Sequence, residues 1–389
     1  MVDVVVVAVS GTRAGAPGGH GRRHGSTVAS GIDPEAIGSP PPATLYDLDR
    51  SGLAALLEGE PAYRVDQLWD GLYRQALPPA EVTNLPADLR RRLAASHPGA
   101  LTEASRRSTD DGDTLKWLWS LADGARIETV LMHYPRRSTV CVSTQAGCAM
   151  GCGFCATGQA GFQRNLGVGE ILEQVVAARR EAARSHRRVD NVVFMGMGEP
   201  LANFERTWEA VGRLRTDMGL SARNLTISTV GIVPGIRRLA SEATTVNLAV
   251  SLHAANDALR DELVPINRRY PLDDLTAACR EWTASRNRRL TFEWAMIADT
   301  NDSDDDARQL AALARSLRAH VNLIPLNPTG GFPTRGTPPA RVREFGRLLG
   351  DLGVNATVRA NRGNEIDAAC GQLSATTPVA DPHTRGAPS

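Results

Sequence analysis

From about Thr44 the chain alternates apolar and polar positions with two different periods. Leu45, Leu48, Leu53, Leu56 and Leu57 share one helical face, and Val65, Leu68, Trp69, Leu72 and Tyr73 share a second. Leu85-Pro86-Ala87-Asp88 opens a third helix that runs through Leu93, with proline in its first turn. The period then drops to two. Residues 114–120 and 126–132 flank the turn pair Asp123-Gly124, which predicts a β-hairpin. From about Ser138 strands and helices alternate. Strands are predicted at 140–142, 191–195, 225–229, 245–251, 290–296 and 321–324, with helices at 168–184 and 204–218 and others between the later strands. Repeated βα units argue for an α/β fold with a parallel sheet or barrel. About six units before Pro325 predict a partial barrel rather than a closed eight-stranded one. Ligands then belong at the carboxyl ends of the strands.

The same pattern divides the chain. Residues 1–43 are rich in Gly, Pro, Ser and Ala and are expected to be a disordered extension, as are 374–389 at the other end. Residues 44–133 form an accessory helical module with its hairpin, and 134–373 form the barrel. No apolar run approaches the roughly 18 residues that cross a membrane. Val4–Val9 is short and follows Asp3, where a signal peptide carries positive charge. The expected location is the cytoplasm.

Net charge is +1, so bulk charge does not announce a nucleic-acid partner. Lys116 is the only lysine, which weakens any argument from arginine counts. Arginine pairs such as Arg187-Arg188 and Arg268-Arg269 suit a solvated helix face as well as an RNA groove.

The densest chemistry lies in Cys148-Ala-Met-Gly-Cys152-Gly-Phe-Cys155, three of the six cysteines within eight residues. Thiolates this close suit zinc or an iron–sulfur cluster. A structural zinc site closes with four protein ligands, and the next histidine, His186, is far along a predicted helix. A three-cysteine [4Fe–4S] cluster leaves one iron open to a small molecule. Other candidates follow predicted strands. Gly196-Met-Gly-Glu199-Pro lacks the spacing of a dinucleotide fingerprint, but its glycines admit a ligand and Glu199 could accept from an ammonium or ribose. Ser228, Ser251, His253 and Asn327 end or follow later strands; singly each could as well be structural. Glu128 reads as an exposed strand carboxylate; Cys370, after Ala-Ala and before Gly, sits in a flexible, close-approach setting, although it and Cys141 could each be a buried free cysteine, the reading kept for Cys279 on its predicted helix.

The C-x3-C-x2-C spacing resembles the signature of radical S-adenosylmethionine (SAM) enzymes, and Gly196–Pro200 resembles their SAM-amino motif. From Thr44 to Leu373 the chain resembles, more specifically, the radical SAM adenosine C2 methyltransferases of 23S rRNA and tRNA. The likeness is carried by Pro61–Gln67, Gln145–Cys148, Gly161–Leu166, Met195–Pro200, Ser251–Ala254, Val264–Asn267 and Ala368–Leu373. The departures are Asn364-Glu365 where two aspartates are frequent, and Leu326 where an aromatic residue is common.

The resemblance implies a radical SAM (β/α)6 barrel with cluster ligands Cys148, Cys152 and Cys155. It implies SAM contacts at Gly198, Glu199, Ser228, Ser251, Leu252, His253 and Asn327. It implies that Cys370 carries the methyl group, that Cys141 resolves, and that Glu128 accepts a proton, in place of the exposed role read above. Adenine C2 is an electron-poor carbon that cannot displace a methyl group from a sulfonium. In the implied route one SAM methylates Cys370, and a second gives the radical that activates the methyl group. The methylene radical adds to C2, and Cys141 then frees the product, leaving a Cys141–Cys370 disulfide. The implied partners are 23S rRNA, tRNA and an electron donor such as flavodoxin, acting on a monomer. The related C8 methyltransferases share the cysteines and the mechanism. A non-catalytic RNA-binding protein with a structural metal needs a fourth ligand, and a glycyl-radical activase gives Cys141 and Cys370 no role.

Overall fold

The computed structural model describes residues 44–109, 111–285, 289–326 and 335–359. The described residues begin with three short α-helices, α1 (Arg50–Leu56), α2 (Tyr63–Trp69) and α3 (Ala87–Ser96). The first begins where the Asp49 carboxylate accepts the Gly52 N–H at 2.7 Å. Leu53, Leu68, Leu72, Tyr73, Leu89 and Leu93 from these segments are buried together, as their spacing requires.

Strands β1 (Thr102–Ser108), β2 (Thr114–Ser120) and β3 (Arg126–Tyr134) form an antiparallel meander, and β4 (Arg137–Cys141) pairs antiparallel with β3. A small second ladder joins β5 (Gln145–Gly147) to β6 (Phe162–Asn165), with the short α4 (Ala156–Gln159) between them. The parallel units follow: α5 (Val168–Arg184), β7 (Val189–Phe194), α6 (Phe204–Thr216), β8 (Leu225–Thr229), α7 (Val233–Ser241) and β9 (Asn247–Ser251). They continue through α8 (Asp257–Leu263), α9 (Leu272–Ser285), β10 (Leu290–Met296), α10 (Asp304–Leu317), β11 (His320–Pro325), α11 (Pro339–Asp351) and β12 (Ala356–Val358).

Among the described residues one sheet runs β1-β2-β3-β4-β7-β8-β9-β10-β11-β12. The six parallel strands expected from the sequence are β4 and β7 to β11, and β12 adds a further parallel strand beside β11. The hairpin therefore extends the barrel sheet itself. Side chains alternate across it. Val192, Phe194, Ile227, Val250, Trp294 and Leu323 pack with the helices in the main core. Their neighbours Val193, Ser228, Ser251, Glu293 and Asn322 turn to the opposite, inner face.

Helices α5 and α6 carry the N-terminal helices. The Gly169 N–H donates to Asp47 at 2.7 Å, and Arg213 donates to the carbonyls of Tyr46 and Leu48 at 2.8 and 2.7 Å. No helix among the described residues is long and apolar enough to cross a membrane.

Candidate active site

The cysteine loop is built by the β5–β6 ladder. Gly147 has φ +75°, and a Cβ there would lie 1.9 Å from the Gly161 carbonyl oxygen, so only glycine lets the two strands close. The next residue, Cys148, donates its N–H to that carbonyl at 2.9 Å. The Cys155 N–H reaches back to the Cys152 carbonyl at 3.0 Å, folding the loop over itself. All three cysteines line one pocket at the carboxyl ends of the parallel strands, together with Gly198, Glu199 and His253. The pocket also takes in Ser228 and Ser251, so residues scattered over a hundred positions converge there.

Burial raises all three thiol pKa values, that of Cys148 to about 12, and for Cys148 and Cys152 the charge of the neighbouring thiolate adds to it. Such thiols keep their protons until a cationic centre replaces them, which fits ligands of an iron–sulfur cluster. Among the described residues no three His, Cys, Asp or Glu side chains stand as a single metal ion would need them. A cluster asks for a wider spacing, because each cysteine holds a different iron.

Glu199 lines the same pocket as the cysteines. Its carboxylate accepts N–H bonds from Leu201 at 3.0 Å and Val230 at 2.9 Å, and its own N–H donates to the Gln145 side chain at 2.8 Å. It is 2 % exposed, and burial raises its pKa to about 7 against those two bonds. Gly198 has φ +98°, and a Cβ would come within 2.5 Å of the Gln145 side chain. The glycine and Gln145 thus fix where Glu199 stands. Gln145 lies in the stretch before Cys148, but nothing in its residue type announced this role.

His253 is buried and has φ +59°, rare for a residue with a side chain. Its ring meets Phe154 edge-on at 4.6 Å between centroids, directly under the cysteine loop. Burial and the nearby Arg260 lower its pKa to about 3, so the ring is neutral. Leu252 differs from the other residues of this set. Its side chain lies in the main core, its N–H donates to Glu293 and its carbonyl accepts from Arg260.

Cys141 on β4 and Glu128 on β3 lie one and two strands beyond β7 along the inner face. Cys141 packs with Val130, Met132 and Val193, and Met195 bridges this cluster to the pocket. Burial pushes the Cys141 thiol to about 12; nearby Glu128 raises it further and Arg359 lowers it. Glu128 is 4 % exposed, contrary to the exposed strand carboxylate read from its position. The Lys116 ammonium, fully buried on the adjacent strand, lies 3.4 Å from it. Alternation could not reveal this, because Lys116 and Glu128 make the buried face polar at both positions. Asn327 and Cys370, the SAM contact and the methyl carrier expected from the sequence, lie outside the described residues, as do both terminal segments. The described cysteines, Cys279 included, are free thiols.

The Radical SAM superfamily model matches residues 142–314. The probable dual-specificity RNA methyltransferase RlmN of Parafrankia sp. (strain EAN1pec) is 51% identical over 361 residues, covering 88% of this chain and 94% of that protein. The dual-specificity RNA methyltransferase RlmN 1 of Myxococcus xanthus (strain DK1622) is 50% identical over 340 residues, covering 86% and 95%. Among solved structures, a radical SAM methyltransferase from Sphaerobacter thermophilus superimposes with TM-score 0.82 at 50% identity, covering 85% of this chain and 99% of that one.

Proposed function

The chain belongs to the RlmN family of dual-specificity RNA methyltransferases, and from that premise we propose that it makes 2-methyladenosine in 23S rRNA and tRNA. The observation that carries this reading is identity near 50% over almost the whole described chain, with the three cysteines and Glu199 gathered in one strand-end pocket.

The residues divide by task. Cys148, Cys152 and Cys155 hold a [4Fe–4S] cluster, and Gly198, Glu199, Ser228, Ser251, His253 and Asn327 surround SAM, with Leu252 anchoring its two neighbours from the core. When bound, cluster and SAM supply a 5′-deoxyadenosyl radical on one-electron reduction. Cys370 takes a methyl group from a first SAM and holds it as a thioether, so two SAM molecules serve each turnover. Loss of a hydrogen atom from that methyl group lets its carbon bond to adenine C2. Glu128 then takes the C2 proton, one electron is given up in return for the one spent on SAM cleavage, and the Cys141 thiolate attacks the Cys370 sulfur. The S–C bond breaks, its electron pair goes to the methylene carbon, which takes a proton to become the product's methyl group, and a Cys141–Cys370 disulfide remains. Glu128 and Cys141 act at the same stage; the carboxylate stands two residues from Val130, which pairs with Cys141, and a proton taken up by Glu128 removes the charge that adds to burial in holding the Cys141 thiol up.

The target adenine must leave its stack to reach the strand ends. The helical module at residues 44–100 grips folded RNA by shape. A flavodoxin-type donor supplies electrons to a cytoplasmic monomer. Two alanine variants test the division of labour on a denaturing gel with RNA, SAM and reductant. Cys370→Ala should neither methylate RNA nor bind it covalently, whereas Cys141→Ala should trap an RNA–protein adduct. An adduct from Cys370→Ala, or normal turnover by Cys141→Ala, would overturn the assignment.

A further inference from the structure

The loop after β10 contains Asn301, whose side chain is wholly buried and fully bonded. Its Nδ2 donates to the carbonyls of His253 at 2.8 Å and Ala295 at 2.7 Å, and its Oδ1 accepts the Ile297 N–H at 2.8 Å. The Ala295 N–H in turn donates to Nδ1 of His253 at 3.0 Å. These contacts close a ring: His253 ring to Ala295 backbone, Ala295 carbonyl to Asn301 amide, Asn301 amide to His253 carbonyl. The ring joins the ends of β9 and β10 beneath the cysteine loop.

Two consequences follow. A backbone N–H can be accepted only by a bare ring nitrogen, so Nδ1 carries no proton and the neutral imidazole holds its proton on Nε2. The carbonyl of His253 is also anchored at a residue whose φ of +59° side chains rarely adopt. Arg260 braces the same turn, donating to the carbonyls of Leu252 at 3.1 Å and Val230 at 2.6 Å. Asn301 itself does not line the pocket.

We infer that Asn301 is a positioning residue that locks the left-handed backbone and the Nε2–H tautomer of His253, so that the ring offers a fixed hydrogen-bond donor to an acceptor on SAM. This rests on the reading of the pocket as the SAM site. Asn301→Asp is the sharpest perturbation. It keeps size and the acceptor for Ile297, but sets a second oxygen against the carbonyls of His253 and Ala295.

Two readouts on the oxidised holoenzyme test it. The first is 15N NMR of histidine-labelled protein, with His253 assigned by its loss in His253→Gln. Wild type should show a bare Nδ1 and a protonated Nε2, and Asn301→Asp should show a mixture. The second is calorimetric SAM affinity, which should fall about tenfold in Asn301→Asp, the worth of one hydrogen bond. A protonated Nδ1 in wild type overturns the proposal, as does an Asn301→Asp protein that keeps both tautomer and affinity. If Asn301→Asp does not fold, Asn301→Ser, which retains a single donor, must show the same two changes in smaller degree, and their absence overturns the proposal equally. Wild type that shows the expected ring but binds no SAM would instead remove the reading of the pocket.

Discussion

Replacing Arg164 by alanine should destabilise the protein far more than an ordinary surface-arginine deletion. Arg164 in β6 is 8 % exposed and bridges two carboxylates. Nη1 and Nη2 each donate to Glu170 at 2.8 Å, while Nε and Nη2 donate to Asp123 at 2.5 and 3.2 Å. The two halves differ in weight. The Asp123 side chain is 44% exposed, so water screens that pair and it contributes about 0–1 kcal/mol. The Glu170 side chain is 4% exposed and would keep only the Gly167 N–H. Breaking a buried pair by removing one partner costs about 3–5 kcal/mol, a large share of a typical 5–15 kcal/mol total. Arg164→Lys should rescue little, since an ammonium cannot form two forked contacts. Arg164→Ala with Glu170→Gln should recover part of the loss, because no charge is then stranded. Urea unfolding of the four proteins in a double-mutant cycle measures this. A loss below about 1 kcal/mol for Arg164→Ala, or strict additivity with Glu170→Gln, would refute the reasoning. Asp123 lies in the hairpin turn and Arg164 on the ladder that holds the cysteine loop, so the same variant should also lose iron faster to a chelator.

Other outcomes follow from single features of the site. Replacing Cys148, Cys152 and Cys155 together with alanine should abolish iron binding, and about four irons retained per chain, the complement of one [4Fe–4S] cluster, would contradict the assignment. Gly198→Ala should raise the KM for SAM, because its Cβ would strike Gln145 at 2.5 Å and displace Glu199; an unchanged KM would contradict this. Cys141, its thiol pushed to about 12, is ionised at pH 8 to on the order of one part in ten thousand. Iodoacetamide should therefore label it very slowly in folded protein and rapidly in urea, as peptide mass spectrometry would show. Cys279→Ala should leave methylation unchanged, since that buried thiol lies in the main core on α9, away from the pocket lining.

Much of the frame was legible in the sequence where the signal is local. Helix α5 and strands β8 and β10 occupy the spans that their periodicity marks. The cysteine loop was legible because its spacing is covalent and short. Strand β1, Thr-Glu-Ala-Ser-Arg-Arg-Ser, was not: its side chains are mostly exposed, and it is held by backbone pairing with β2. The three residues of β12 are too few to show a period. That the hairpin prolongs the barrel sheet depends on β3 meeting β4, a register that no local pattern encodes. The local pattern alone misplaces Glu128, because a lone carboxylate on a strand is usually solvated and its buried partner Lys116 stands on another strand; only the resemblance gives it an interior role. Asn301 and Arg260 gave no signal at all, since a polar residue in a loop or on a short helix acquires its role only from what the fold brings beside it.

The central claim is that the transferred carbon passes through Cys370 and reaches C2 of an adenine. The most direct measurement is mass spectrometry of nucleosides from substrate RNA treated with enzyme, reductant and SAM bearing a trideuterated methyl group. A methyl group that loses one hydrogen atom on Cys370 before bonding to carbon should reach RNA with two deuterium atoms, and the product should co-elute with 2-methyladenosine. Retention of all three deuterium atoms, or a product that co-elutes with 8-methyladenosine, would contradict the account.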